Sequence, residues 1–131
     1  MTVDEIFTRN ARKYPHKEGL IYKDTRLTFK QLNDRVNRLT NAFIKLGLRK
    51  QDRIALIADN CHQFIEVIGA CAKGGFILAS LSTKLKDELP HIVKNAEPKV
   101  MIVGSNYFGK IRPEWTFVEN AICLGDGPVA W

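Results

Sequence analysis

From residue 54 onward, short apolar runs alternate with helical patterns, and this alternation constrains the chain more than any other feature. Ile54-Ala55-Leu56-Ile57-Ala58 is a continuous apolar run after a polar turn, the signature of a strand covered on both faces. Residues 62–73 carry Phe64, Ile65, Val67, Ile68, Ala70 and Cys71 on nearly every side, which predicts a buried helix. Asn60 is its expected cap and Gly74-Gly75 its end. Phe76 to Leu81 reads as a second buried strand. Asp87 to Ala96 reads as a helix with Leu89, Ile92 and Val93 on one side, broken at Glu97-Pro98. Val100-Met101-Ile102-Val103 and Ala121-Ile122-Cys123-Leu124 supply the third and fourth strands, while 105–118 show no single pattern because Pro113 interrupts them. The order β-α-β-α-β-x-β predicts an α/β fold: a layered, mainly parallel sheet flanked by helices.

The part before residue 54 has a different pattern. Thr2 and Glu5 are spaced as a capping box, so a short N-terminal helix is expected from Thr2 until Tyr14-Pro15 stops it. Gly19-Leu20-Ile21-Tyr22 and Arg26-Leu27-Thr28-Phe29 flank the turn Lys23-Asp24-Thr25 and predict a β-hairpin. A second capping box, Thr28 with Gln31, opens a helix running to about Leu46. Its stripe is Leu32, Val36, Leu39, Phe43 and Leu46, with Arg35, Arg38 and Lys45 falling away from it and Gly47 stopping it.

With 45% hydrophobic and 26% charged residues in 131, the chain has enough apolar surface for one globular domain. No apolar run approaches the roughly 20 residues that span a bilayer, and the acidic, polar opening is not that of a secretory signal. The net charge of +6 is concentrated early: residues 1–50 hold 12 Lys/Arg against 5 Asp/Glu. These basic residues are interspersed with apolar ones, which fits a solvated helix face better than a nucleic-acid surface. Cys61, Cys71 and Cys123 form an odd set without C-x-x-C spacing, which points to reduced thiols in the cytoplasm, not to disulfides or a zinc site.

Several residues carry chemistry, but none gathers into a catalytic pattern. Asn33, Asn37 and Asn41 lie four apart, the spacing of residues that border a core and bond to a neighbouring segment. His62 beside Cys61 has no third ligand or base near it in sequence and reads as a helix-end histidine. Asp24, Asp34 and Glu66 are unpaired in the sequence. Trp115 and Trp131 are expected to be exposed in this chain alone.

Taken in order, several stretches resemble the adenylate-forming, AMP-dependent acyl-CoA synthetases (acid–CoA ligases). They are Arg9-Asn10-Ala11-Arg12-Lys13-Tyr14-Pro15-His16-Lys17-Glu18-Gly19-Leu20-Ile21-Tyr22, Leu27-Thr28-Phe29-Lys30-Gln31-Leu32-Asn33, Asn37-Arg38-Leu39, Leu46-Gly47-Leu48 and Asp52-Arg53-Ile54-Ala55. Asn60-Cys61 with Phe64, Ala72-Lys73-Gly74-Gly75 and Glu97-Pro98-Lys99-Val100 continue the series in one register. There are departures. Gln51 stands where the family often has Gly, which implies an altered or mildly strained turn. Ser80-Leu81-Ser82-Thr83 replaces a proline-leucine-asparagine-proline, His62 a helix-starting proline, and Lys86-Asp87 a Thr/Ser-Pro opening.

The resemblance implies that residues 1–131 are the incomplete N-terminal subdomain of a ligase of fatty acid or related acid metabolism. Such an enzyme uses ATP, Mg and coenzyme A to adenylate a carboxylate and then form a thioester. The family's phosphate loop, a Ser/Thr/Gly-rich run ending Pro-Lys-Gly, has no counterpart here. Gly74-Gly75 and Gly125-Asp126-Gly127 lack its hydroxyls and lysine. The chain alone is therefore expected to hold no catalytic, cofactor-binding or metal-binding residue and to be inactive. Its expected partners are the remainder of the ligase and a second copy, met through the uncovered apolar face. A stand-alone interaction module derived from such a ligase is the alternative reading, and a small basic nucleic-acid-binding α/β protein a more distant one.

Overall fold

The computed structural model describes residues 2–59, 61–82, 84, 87–104, 107 and 113–124. These fall into two compact units. One consists of residues 1–49 with 60–75, the other of 50–59 with 76–130.

The first unit contains α1 (Val3–Lys13), a hairpin of β1 (Glu18–Tyr22) and β2 (Thr25–Thr28), α2 (Phe29–Lys45) and α3 (His62–Gly74). Local chemistry sets its boundaries. The Thr2 N–H donates to the Glu5 carboxylate at 3.2 Å, and α1 ends at Lys13 because Tyr14, which precedes Pro15, leaves helical geometry. Thr28 and Gln31 close the second box reciprocally. The Gln31 N–H donates to Thr28 Oγ1 at 3.1 Å, and the Thr28 N–H donates to Gln31 Oε1 at 2.9 Å. Between them the hairpin turns with Lys23 at φ 51°, and Arg26 Nη1 bonds Glu18 Oε2 at 3.0 Å across the strands.

Leu32, Val36, Leu39 and Phe43 are buried as the stripe predicts. Leu46, its fifth member, is not: it caps the helix and is 38% exposed, because the chain has already begun to turn at Gly47 (φ 96°). In α3, Val67, Ala70 and Cys71 are buried but Ile65 is exposed, so the helix, apolar on nearly every side, is not buried all round. The expected cap Asn60 lies outside the described residues, and the N-cap position is held by Cys61 in extended geometry. Gly69 marks the closest helix contact. A Cβ there would sit 2.9 Å from both the Phe7 ring of α1 and Val36 of α2.

The second unit is a four-stranded, wholly parallel sheet in the order β4-β3-β5-β6, built from β3 (Arg53–Ile57), β4 (Ile77–Ser80), β5 (Val100–Gly104) and β6 (Asn120–Leu124). Residues 54–57 and 100–103 are at most 2% exposed on both alternating sets, which is the double coverage that their unbroken apolar runs imply. One face packs Ala55, Ile57, Met101 and Val103 against Leu89 and Val93 of α4 (Leu89–Ala96) and against Leu81 and Trp115.

Three expectations are corrected here. The 76–81 segment is not a buried strand: β4 lies at the end of the described strand order and Ile77 is 49% exposed, with only the flanking Phe76 and Leu81 buried. The helix expected from Asp87 starts at Leu89, with Pro90 in its first turn, where a missing N–H costs nothing. Trp115 is buried in the core cluster, while Trp131 lies outside the described residues. Gln51 does adopt the strained geometry expected of a residue in a glycine's place, at φ 70°.

Candidate functional site

The densest group of polar side chains in the first unit lies between α2 and α3. Glu66, one turn and a half into α3, is only 1% exposed, so its charge needs a partner. Arg35 of α2 supplies it with a two-pronged contact: Nε donates to Glu66 Oε1, and Nη2 donates to Oε2 at 3.4 Å. Arg35 therefore does not belong to a solvated face, as its position off the apolar stripe suggested; its guanidinium turns inward to a carboxylate 31 residues away in sequence.

Two turns along α3, Lys73 performs a similar task. Its ammonium donates to Asn33 Oδ1 at 2.5 Å and Asn37 Oδ1 at 2.6 Å, both on α2. Two of the three asparagines thus bond to a neighbouring segment, and Asn41 is exposed. Partial burial lowers the Lys73 pKa from its ordinary value, opposed by the charges of Asp4 and Asp34. Asp34 itself is paired with Lys30 at 3.1 Å, one helical turn earlier.

His62 opens α3 on the same side as Glu66, one turn before it. Its ring lies 6.1 Å from that of Tyr22, and its Nδ1 is inaccessible and has no hydrogen-bond partner among the described residues. Burial lowers its pKa below the usual histidine value; Glu66 works against this and Arg35 adds to it. Cys71 is buried, which pushes its thiol up to about 12, so it is inert as a nucleophile at neutral pH. Cys61 and Cys123 are half-buried and, like Cys71, free.

In the second unit, polar contacts sit at the two ends of the strands. At the amino ends, Lys99 reaches Asp52 at 3.4 Å and Glu119 at 4.0 Å, tying together the entries to β3, β5 and β6. At the carboxyl ends, the Tyr107 hydroxyl donates to Asp59 Oδ1 at 2.9 Å. No group of three or more His, Cys, Asp or Glu side chains suited to a metal occurs among the described residues. Among the described residues no helix is long and apolar enough to cross a membrane.

The glycines of Gly74-Gly75 serve to end a helix. Gly75 is the left-handed C-cap of α3 (φ 73°), and its N–H is already spent on the Cys71 carbonyl. A helix carboxyl end also presents the negative pole of its dipole, the wrong sign for a triphosphate. The segment Gly125-Asp126-Gly127 lies outside the described residues.

A family model described as AMP-binding enzyme matches residues 7–126, nearly the whole chain. The chain belongs to this family. Among its relatives is the crotonobetaine/carnitine–CoA ligase of Shigella sonnei (strain Ss046), 32% identical over 125 residues, covering 88% of this chain and 24% of the ligase. Another is long-chain fatty acid transport protein 6 of Mus musculus, 32% identical over 114 residues, covering 86% of this chain and 18% of the other. In structure, the chain is similar to a protein of Rhodopseudomonas palustris CGA009 assigned as a long-chain-fatty-acid–CoA ligase. The TM-score is 0.91 at 30% identity, covering 97% of this chain and 33% of that one. The α/β fold of this AMP-binding family member, with its parallel sheet, is that of the acyl-CoA synthetases. The chain spans about a quarter or less of the length of the curated relatives it matches.

Proposed function

We propose that residues 1–131 form the N-terminal structural subdomain of an ATP-dependent, AMP-forming acid–CoA ligase and contribute scaffold, not chemistry. The observation that carries this reading is the way the buried polar groups are used. Glu66 and Arg35 satisfy each other, and Lys73 is held by two asparagines, so the groups best placed to do chemistry instead join α2 to α3. Carboxylate activation, Mg and ATP binding, and thioester formation with coenzyme A then belong to residues outside this segment. The match to crotonobetaine/carnitine–CoA ligase over 88% of the chain supports an acid as substrate and coenzyme A as acceptor. Three free cysteines fit a reducing cytoplasm.

Calorimetry with ATP and magnesium tests the reading directly. This chain alone should show no saturable micromolar binding and should release no pyrophosphate from ATP with a carboxylic acid present; either event would overturn it. The partner of the same reading is the remainder of the ligase, or in its absence a second copy. Ile77, exposed on β4, gives self-association a concrete edge, and sedimentation velocity should show mass rising with concentration.

A further inference from the structure

The outward side of α1 has a character that the scaffold reading does not use. α1 contains no buried residue, and Val3, Ile6 and the capping Tyr14 are 51%, 46% and 46% exposed. Its inner side is committed, since Phe7 packs where Gly69 has no side chain. On the outer side, Ile6, Arg9, Asn10 and Lys13 follow each other at steps of three, one and three and, with Tyr14, line a surface cavity of about 300 Å³. Val3 extends the same stripe one turn earlier. Neither Arg9 nor Lys13 has a carboxylate partner among the described residues. Lys17 adds a third cation, its ammonium 4.6 Å from the centre of the Tyr14 ring.

Charge is distributed along the segment in one sense only. From Ile6 to Lys17 there is no Asp or Glu, while Arg9, Arg12, Lys13 and Lys17 are all cationic. Elsewhere in the first unit several basic residues are held by salt bridges, Arg26 by Glu18, Lys30 by Asp34 and Arg35 by Glu66. Unpaired cations next to exposed aliphatic and aromatic groups match a layer that presents phosphate oxygens above hydrocarbon. Apolar stems enter the boundary while the charged heads stay at the phosphates.

We propose that the outer stripe of α1 docks on an anionic phospholipid surface, with Val3 and Ile6 against the acyl boundary and Arg9, Lys13 and Lys17 on the phosphates. The whole chain is tested by co-sedimentation with vesicles of equimolar phosphatidylglycerol and phosphatidylcholine, beside vesicles of phosphatidylcholine alone. Binding should occur on the anionic vesicles only and fall as salt is raised. The double variant Arg9→Gln/Lys13→Gln should weaken it by roughly tenfold or more, and Ile6→Ser should weaken it several-fold with no change in charge. Arg38→Gln/Lys45→Gln removes the same charge from exposed positions on α2 and should leave binding within about twofold, since the effect is local. All five substituted side chains are exposed, so circular dichroism should show unchanged folds. Equal losses in the two double variants would reduce the effect to net charge and overturn the proposal. So would an absence of vesicle binding, an unaffected Ile6→Ser, or saturable binding of inorganic phosphate in calorimetry without any vesicle binding.

Discussion

Replacing Arg35 by Met should be among the most damaging single changes available in this chain. The reason lies in its partner: Glu66 is 1% exposed, and Arg35 is its ion-pair partner among the described residues. Breaking a buried pair from one side costs about 3–5 kcal/mol, because the remaining charge keeps its desolvation penalty and loses its compensation. The Arg35 side chain is 35% exposed, so water can enter the vacated place and the lower end applies, about 3 kcal/mol. With a urea m-value of about 2 kcal/mol/M for a chain this size, the unfolding midpoint should fall by about 1.5 M. Arg35→Met/Glu66→Met removes both charges and leaves apolar groups of similar length. It should recover to within about 1 kcal/mol of the parent, since apolar replacements of buried pairs are often neutral. Urea melts of the parent, both single variants and the double variant complete the cycle. A cost below about 1 kcal/mol for Arg35→Met, or a double variant as unstable as the single, would refute the view that Glu66 depends on Arg35.

Four further outcomes follow from other sites. Gln51→Gly should raise stability by about 0.5 kcal/mol, because relief of a φ of 70° slightly outweighs the freedom glycine adds to the unfolded chain; a thermal melt measures it. Gly69→Ala should cost about 1–2 kcal/mol despite the better helix propensity of alanine, since its methyl would press on Phe7 and Val36 at 2.9 Å; a urea melt no worse than the parent would count against the packing described. In a thiol titration of the folded chain at pH 8, Cys61 and Cys123 should react while Cys71, with its pKa pushed up to about 12, reacts only on unfolding. His62 has a lowered folded pKa, so the unfolded state binds more protons; its contribution is complete above the unfolded value of 6.5 and is lost as pH falls below it. His62→Gln should flatten that part of the stability–pH curve.

What could be read from residues alone was local. The Thr28/Gln31 box, the first four members of the apolar stripe of α2 and the stop at Gly75 each depend on neighbours within a few positions, and each appears where the spacing placed it. The unbroken runs of β3 and β5 gave away their double coverage for the same reason. Strand order is not local. Phe76–Leu81 is nearly as apolar as 54–58, and nothing within it distinguishes an outer strand from a central one; only its pairing, with β3 alone among the described residues, does. The helix expected from Asp87 begins two residues later at Leu89, where Pro90, which a helix interior would not tolerate, falls in the first turn. The polar joint was half legible. Asparagines four apart pointed to a neighbour, but that neighbour is Lys73, and the pairing of Arg35 with Glu66 spans 31 positions with no motif to announce it.

The place of β3 in its sheet bears on how the chain acquires its shape. β3 is hydrogen-bonded on one side to β4 and on the other to β5, whose first residue, Val100, pairs with Ile54. On a ribosome, this inner strand is therefore finished long before the second of its two neighbours exists, and Ile54 and Leu56 must wait while some forty further residues are made. Contacts so far apart along the polymer close slowly, on the millisecond-to-second scale typical of non-local pairing. During that interval the aliphatic heart of the sheet is open to any passing strand, and a chaperone that shields it would help most between the synthesis of β4 and that of β5.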